Sequence, residues 1–461
     1  MYPQFYHGSR ISSAGTCFCE MCRGSQSLID IYQVIPALYR MTIPIIIKLL
    51  SSLVLIIILN RVTKRLPLAL LGGAVFFAVW IGLGPLGILE VAGTSLFNWN
   101  TVGLVALVSS VILLSMQMSE TAMVQELVAS IRSAFSPRAS LAVIPAVIGL
   151  LPMPGGALFS APLLDNFDDL QGINPNTKTS INYWFRHVWE FAWPLYPGVI
   201  VACDIAGIEL WQMLVYGLPL SFVSIVAGYF FFLKQIGTSH STSIKVQKFS
   251  FVPFLPVFTV IVLYGLLQFI APAMGDFNQY LPMVIGLFAS LVVLQVLRPL
   301  TLDTWVKMLI SPRIFKMLLI ILMVRVYGAF IATEINGVSV VQSMANEMQH
   351  FGIPSLPLIM ALPFLTGMTM GVAVGFAGTA MPVVVALMGP DPNFGVLIGT
   401  VIFAYVSGFM GTMLSPLHVC MIVTSEYYKT DLIRSYRPMV IPAVFMILVA
   451  FGYMQVLSII V

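Results

Sequence analysis

The feature that most constrains this chain is the recurrence of apolar runs close to 20 residues long. They fall at 43–60, 66–90, 101–118, 181–206, 209–233, 251–273, 281–298, 312–333, 394–424 and 437–460. A helix of about 20 apolar residues spans the hydrocarbon core of a bilayer, and lipid leaves the backbone few other options. Composition agrees: 59% of residues are hydrophobic and 9% charged, against about 45–50% and about 25% in soluble proteins. An ordinary soluble enzyme and a disordered chain are both excluded. The formal charge of +4 is spread along the chain, so there is no basic face for nucleic acid. Five cysteines, with Cys17, Cys19 and Cys22 crowded together, do not make a disulfide framework. Two further apolar stretches, 140–164 and 354–388, are interrupted by Pro and Gly and do not read as simple spans.

The loops set an orientation. Arg61, Lys64 and Arg65 share one side with Arg132, Arg138, Lys178, Arg186, Lys234, Lys245 and Lys248 if the spans alternate. Arg298, Lys307, Arg313, Lys316, Lys429, Arg434 and Arg437 join them. The opposite loops, 93–100, 205–208, 274–280, 334–352 and 389–393, contain no Lys or Arg. The positive-inside rule makes the cationic side cytoplasmic. About 11 spans then place the C-terminus outside, in the cell (inner) membrane. Residues 1–40 carry Arg10, Arg23 and Arg40 on the wrong side and have no apolar periodicity. With one crowded ligand group instead of two separated pairs, Cys17, Cys19, Cys22 and His7 do not read as a structural zinc site. This segment reads as a disordered tail or an upstream extension, and 41–461 as one transmembrane domain.

The order of elements occurs twice. In residues 66–234 two spans lead to an amphipathic stretch, the broken segment 140–164, a span with a proline break and a closing span. Residues 281–461 repeat that order, with 354–388 as the broken segment. "LLPMPGG" at 150–156 faces "ALPFLTG" at 361–367, and "WPLYPGVIVA" at 193–202 faces "SPLHVCMIVT" at 415–424. The charge rule gives the two copies opposite polarity. Inverted repeats with discontinuous helices point to a secondary transporter with its site near the midplane.

The segments "LPMPGGALFSAPLLD" (151–165), "INYWFRHVWEFAWPLYPGV" (181–199) and "SPLHVCMIVTSEYY" (415–428) resemble an uncharacterised prokaryotic membrane-protein family, the domain-of-unknown-function family numbered 401. That family is grouped with the ion-transporter superfamily, beside gluconate, citrate and dicarboxylate permeases and some sodium/proton antiporters. The resemblance covers roughly 45–461 and implies an all-α polytopic fold. It also implies two inverted repeats, each with a re-entrant hairpin and an unwound helix meeting at a central site. It supplies no substrate. The serine-asparagine-threonine signature of the dicarboxylate carriers is absent, so their site assignments do not transfer.

Pro154, Gly155 and Gly156 suit a hairpin tip, with Pro stopping a half-helix and glycine admitting a ligand to the backbone. Ser160 follows one turn later. The second copy offers Thr366, Gly367, Thr369, Gly371, Gly375, Gly378 and Thr379, where a binding role and small-residue helix packing weigh equally. The breaks Pro194–Gly198 and Gly411–His418 free helix termini for an anion, or carbonyls for a cation. Tyr196, Ser415 and His418 are their candidate ligands. His418 is either a titrating group or a neutral interhelical donor. Arg325, in mid-span, meets either a substrate carboxylate or a protein acid, with Glu190 and Glu120 as candidates. Arg186, His187 and Glu190 read as an interfacial polar lid, and Trp184, Trp189 and Trp193 as interface anchors.

No zinc-protease, nucleophile-elbow or Walker motif is present, so the reading is a carrier and not an enzyme. No resident metal or cofactor is expected beyond a coupling ion, H+ or Na+. The expected cargo is a small organic anion; a cation/proton antiporter is the alternative, ahead of a channel or an intramembrane enzyme. The bilayer and a small-molecule or ion substrate are the expected partners, with a homodimer as the one assembly to consider. A reporter active only in the cytoplasm, fused after Val461, is expected to be silent; activity there would overturn the orientation.

Overall fold

The computed structural model describes residues 43–461 except 152–156, 166–172, 235, 237–249, 336 and 390. The tail and the proposed tip Pro154-Gly155-Gly156 therefore lie outside the described residues. The chain is almost wholly helical, as its apolar runs require. The first half contains α1 (Ile45–Thr63), α2 (Leu66–Ile81), α3 (Pro85–Leu96), α4 (Trp99–Glu120) and α5 (Met123–Ala134). It continues with α6 (Pro137–Gly149), α7 (Ala157–Asp165), α8 (Pro175–Arg186), α9 (Pro197–Ala206) and α10 (Leu210–Gly228). Next come α11 (Leu255–Ile270), α12 (Ala273–Phe277), α13 (Leu281–Leu297), α14 (Leu302–Leu309) and α15 (Pro312–Ile331). A two-stranded hairpin, β1 (Glu334–Ile335) and β2 (Val338–Ser339), leads into α16 (Val340–Phe351). The chain ends with α17 (Ser355–Met370), α18 (Ala373–Leu387), α19 (Phe394–Met413), α20 (Val419–Tyr427) and α21 (Leu432–Ile460). Among the described residues, 7 stretches are long and apolar enough to cross a membrane.

Differences from the sequence reading have local causes. The run 66–90 is two helices, because α2 stops at Gly82, whose φ of 102° is left-handed, and Pro85 opens α3. The broken segments are helical hairpins, α6–α7 and α17–α18. The second turns at Gly371 (φ 69°), one turn before the Gly375–Thr379 region favoured from sequence. Both long spans are split, α8 from α9 by residues 187–196 and α19 from α20 by 414–418.

The helices pack in corresponding pairs. α1 lies on α2 as α11 lies on α13; α2 lies on α15 as α13 lies on α4. α6 lies on α8 as α17 lies on α19, and α7 lies on α20 as α18 lies on α9. The tightest of these seams uses glycine. A Cβ on Gly367 would stand 2.0 Å from the Gly408 carbonyl oxygen, and one on Gly411 would stand 2.0 Å from that of Phe364. Removing the side chains lets α17 and α19 approach backbone to backbone, the usual device where lipid gives no hydrophobic drive to helix association. Gly367→Val or Gly411→Val is expected to destabilise by at least the 1–3 kcal/mol of ordinary overpacking, roughly. Gly452→Ala, with open space around it, is expected to be silent. Thermal unfolding in detergent distinguishes the two classes.

Candidate functional site

A hairpin or a broken helix inside a membrane strands carbonyls that no water reaches. In the first hairpin they are met by donors from the unwound segment 187–196. Trp189 Nε1 donates to Ala146 O and Trp193 Nε1 to Leu150 O, both at 2.9 Å, and the Tyr196 hydroxyl donates to Gly149 O. The second half follows the same logic. His418 Nδ1 donates to Gly371 O at 2.9 Å, the Tyr183 hydroxyl to Met413 O at 2.9 Å, and the Tyr436 hydroxyl to Ser415 O. The tryptophans are thus not interface anchors; Trp184 is fully buried and donates to Ser224 O at 2.9 Å.

These contacts gather a buried polar group around the two breaks. His187 and His418 meet through Nε2 atoms 3.2 Å apart, although 231 positions separate them. Arg186 and Glu190 are buried in the same region, so the expected interfacial lid is an interior cluster instead. Ser415 is buried, its Oγ accepting from Leu417 N at 3.2 Å, and Gly371 presses against it. Tyr196 and His418 serve backbone carbonyls, which gives each a structural task. Ser160 is buried in α7, with its hydroxyl 3.5 Å from Ala157 O. Gly378 faces Val324, where a Cβ would come within 2.2 Å, and Thr379 bonds back to Gly375 O at 2.7 Å. That region is packed helix.

Arg325 belongs to a different place. Its Nη1 reaches both carboxylate oxygens of Asp204 at 3.0 Å, and its Nε donates to Thr101 Oγ1 at 3.0 Å. The acid facing Arg325 is therefore neither Glu190 nor Glu120, and Glu120 is exposed at the end of α4. The Tyr280 hydroxyl also donates to Asp204 Oδ1. The pair sits on the wall of a cavity of about 500 Å³, lined in part by Thr94, Ser95, Asn98, Ala329 and Pro382. The side chains are unequally placed: Arg325 is 21% exposed and Asp204 2%. Both residues line the cavity, and the arginine side chain is the more accessible of the two. The sequence-derived candidates thus divide, Arg325 with the cavity and Tyr196, Ser415 and His418 with the breaks, while α9 runs from one place to the other.

Over residues 46–458 the chain matches the family described as Protein of unknown function (DUF401). It belongs to that family. The crystal structure of the Alcanivorax borkumensis YdaH transporter, described as having an unusual topology, is similar in fold. Its TM-score is 0.56 at 12% sequence identity, over 82% of this chain and 89% of that one. Among curated proteins none matches.

Removing one partner of a buried ion pair leaves the other charge uncompensated, a cost of about 3–5 kcal/mol. Arg325→Ala is therefore expected to lower the melting temperature clearly, and Asp204→Asn in the same chain to restore much of it. A double-mutant cycle on thermal unfolding measures this. Independent, additive effects would show that the two residues do not act as a pair.

Proposed function

We propose that this chain is a secondary active transporter, a permease of a small organic anion driven by a proton or sodium gradient. The observation that carries the reading is the partly exposed side chain of Arg325 on a cavity wall, paired with the more deeply buried Asp204 on the same wall. The cavity is of a size that holds small ligands, and a planar guanidinium matches a carboxylate. A substrate anion entering there competes with Asp204 for Arg325. Protonation of Asp204 releases the guanidinium and so couples proton entry to anion binding. The lining residues adjoin the loops without cations, which supports an opening towards the extracytoplasmic side on the positive-inside reading.

Two further observations support a carrier. The helix pairings correspond between the halves, which supports the proposed inverted repeat and, with it, the proposed place in the ion-transporter superfamily. The fold is similar to that of a protein described as a transporter. A second reading, cation/proton antiport, is favoured by two buried carboxylates, Asp204 and Glu190. The anion reading leads because the accessible group is the cation.

Uptake by proteoliposomes, screened over small organic acids with imposed proton and sodium gradients, tests both. Arg325→Lys is expected to raise the KM for the transported acid by roughly tenfold or more while the protein stays folded, because lysine lacks the bidentate geometry. Asp204→Asn is expected to keep anion binding and lose its dependence on the proton gradient. Cation-for-proton exchange with no uptake of any acid would select the second reading.

A further inference from the structure

The buried cluster at the two helix breaks has a chemistry that anion transport does not use. The donor atoms of His187, His418 and Cys420 all lie within 4.8 Å of one another, and all three residues are buried. Both rings are fixed from behind. His187 Nδ1 is 2.6 Å from Tyr183 O, and His418 Nδ1 is 2.9 Å from Gly371 O. A carbonyl oxygen only accepts, so each Nδ1 must carry its hydrogen. That fixes the tautomer and leaves each neutral imidazole with a bare lone pair on Nε2. The two Nε2 atoms face each other at 3.2 Å.

Two lone pairs at that distance repel unless a positive charge lies between them. Either a proton serves them, from a second protonation of one ring or from the adjacent Cys420 thiol, or a cation binds both nitrogens. The third group favours the metal. Cys420 is in the first turn of α20, where the helix N-terminus favours thiolate over thiol. A thiolate adds a strong soft ligand beside the nitrogens. A backbone carbonyl that accepts from the other ring nitrogen is the usual second layer behind a metal-ligating histidine. Metal–nitrogen bonds of about 2.0–2.1 Å at the tetrahedral angle put the nitrogens roughly 3.3 Å apart, close to the spacing seen here. One Glu190 oxygen, three residues beyond His187, is buried without a hydrogen-bond partner among the described residues, and Glu190 lies within electrostatic range of Cys420. It offers charge compensation.

We infer that His187, His418 and Cys420 form a binding site for one thiophilic transition-metal cation, of the Zn2+ or Cu+ class, bridging the two broken helices. Two imidazoles and a thiolate select these ions over Mg2+, Ca2+ or Na+. The site joins α8 to α20 and ties the two halves through their least regular segments.

The test uses the full-length protein in detergent with Cys17→Ser, Cys19→Ser and Cys22→Ser, so that the tail contributes no thiol. Co2+, standing in for Zn2+, and Cu+ are titrated separately. The expected result is one equivalent of at least one ion per chain, with a sulfur-to-metal charge-transfer band. Cys420→Ser is expected to abolish the band, and His187→Gln or His418→Gln to weaken binding by at least about 10–100-fold, the range for lesser damage to metal sites. Cys203→Ser, at the other buried described thiol, is expected to change nothing. Where Cys420→Ser gives no monodisperse protein, protection of Cys420 from a small maleimide by the bound ion reads the same property. Absence of stoichiometric binding by both ions, or a band that survives Cys420→Ser, overturns the inference and leaves the histidines sharing a proton. No transport is measured, so the outcome is independent of the transport reading.

Discussion

Hydrogen bonding of irregular backbone in a medium without water is the constraint on which this structure depends. Each orphaned carbonyl in lipid costs several kcal/mol, and two hairpins with two broken helices create many. The chain meets them with side chains that carry one strong donor on a large apolar body: Trp189, Trp193 and Tyr196 for the first hairpin, His418 for the second. Such residues satisfy the backbone and fill space at once. This explains why indoles, phenols and imidazoles concentrate at the unwound segments, where an aliphatic residue would pack equally well and leave the carbonyl stranded.

Much of the architecture was legible because hydropathy and proline act locally. The apolar helices and the two breaks followed from run length and from Pro and Gly, the only residues that punctuate apolar helices so strongly. The boundary at Gly82 carries the same punctuation in Gly82, Gly84 and Pro85, but the unbroken hydropathy of 66–90 hides it. The turn of the second hairpin is hard to place from sequence because Gly371-x-x-x-Gly375 has the spacing of a packing motif, so the turn glycine Gly371 does not stand out from its neighbours.

The site was legible only in fragments. Arg325 declared itself by charge, but its partner did not: Asp204 stands in "VACDIAG" near the end of a span, where an acid reads as an interfacial residue. His187 and His418 carry no mutual signal either, being 231 positions apart. Their meeting is a product of the cross-packing of the two halves. The tryptophans misled for a general reason, because the amphipathic ring that suits a membrane interface equally suits a buried carbonyl.

Asp204 has a consequence beyond its pairing with Arg325. It stands on α9, receives Arg325 from α15, reaches Thr101 of α4 through that arginine, and accepts from Tyr280 at the head of α13. Four elements drawn from both halves of the chain converge on one carboxylate. The exposed pairs Arg298–Glu126 and Lys307–Asp303 each join only two groups in water and contribute little. In an arch, the stone that every course leans on bears no special load by its own strength; its place gives it that role. Asp204 is the keystone here, and a change confined to its charge is felt by four helices together.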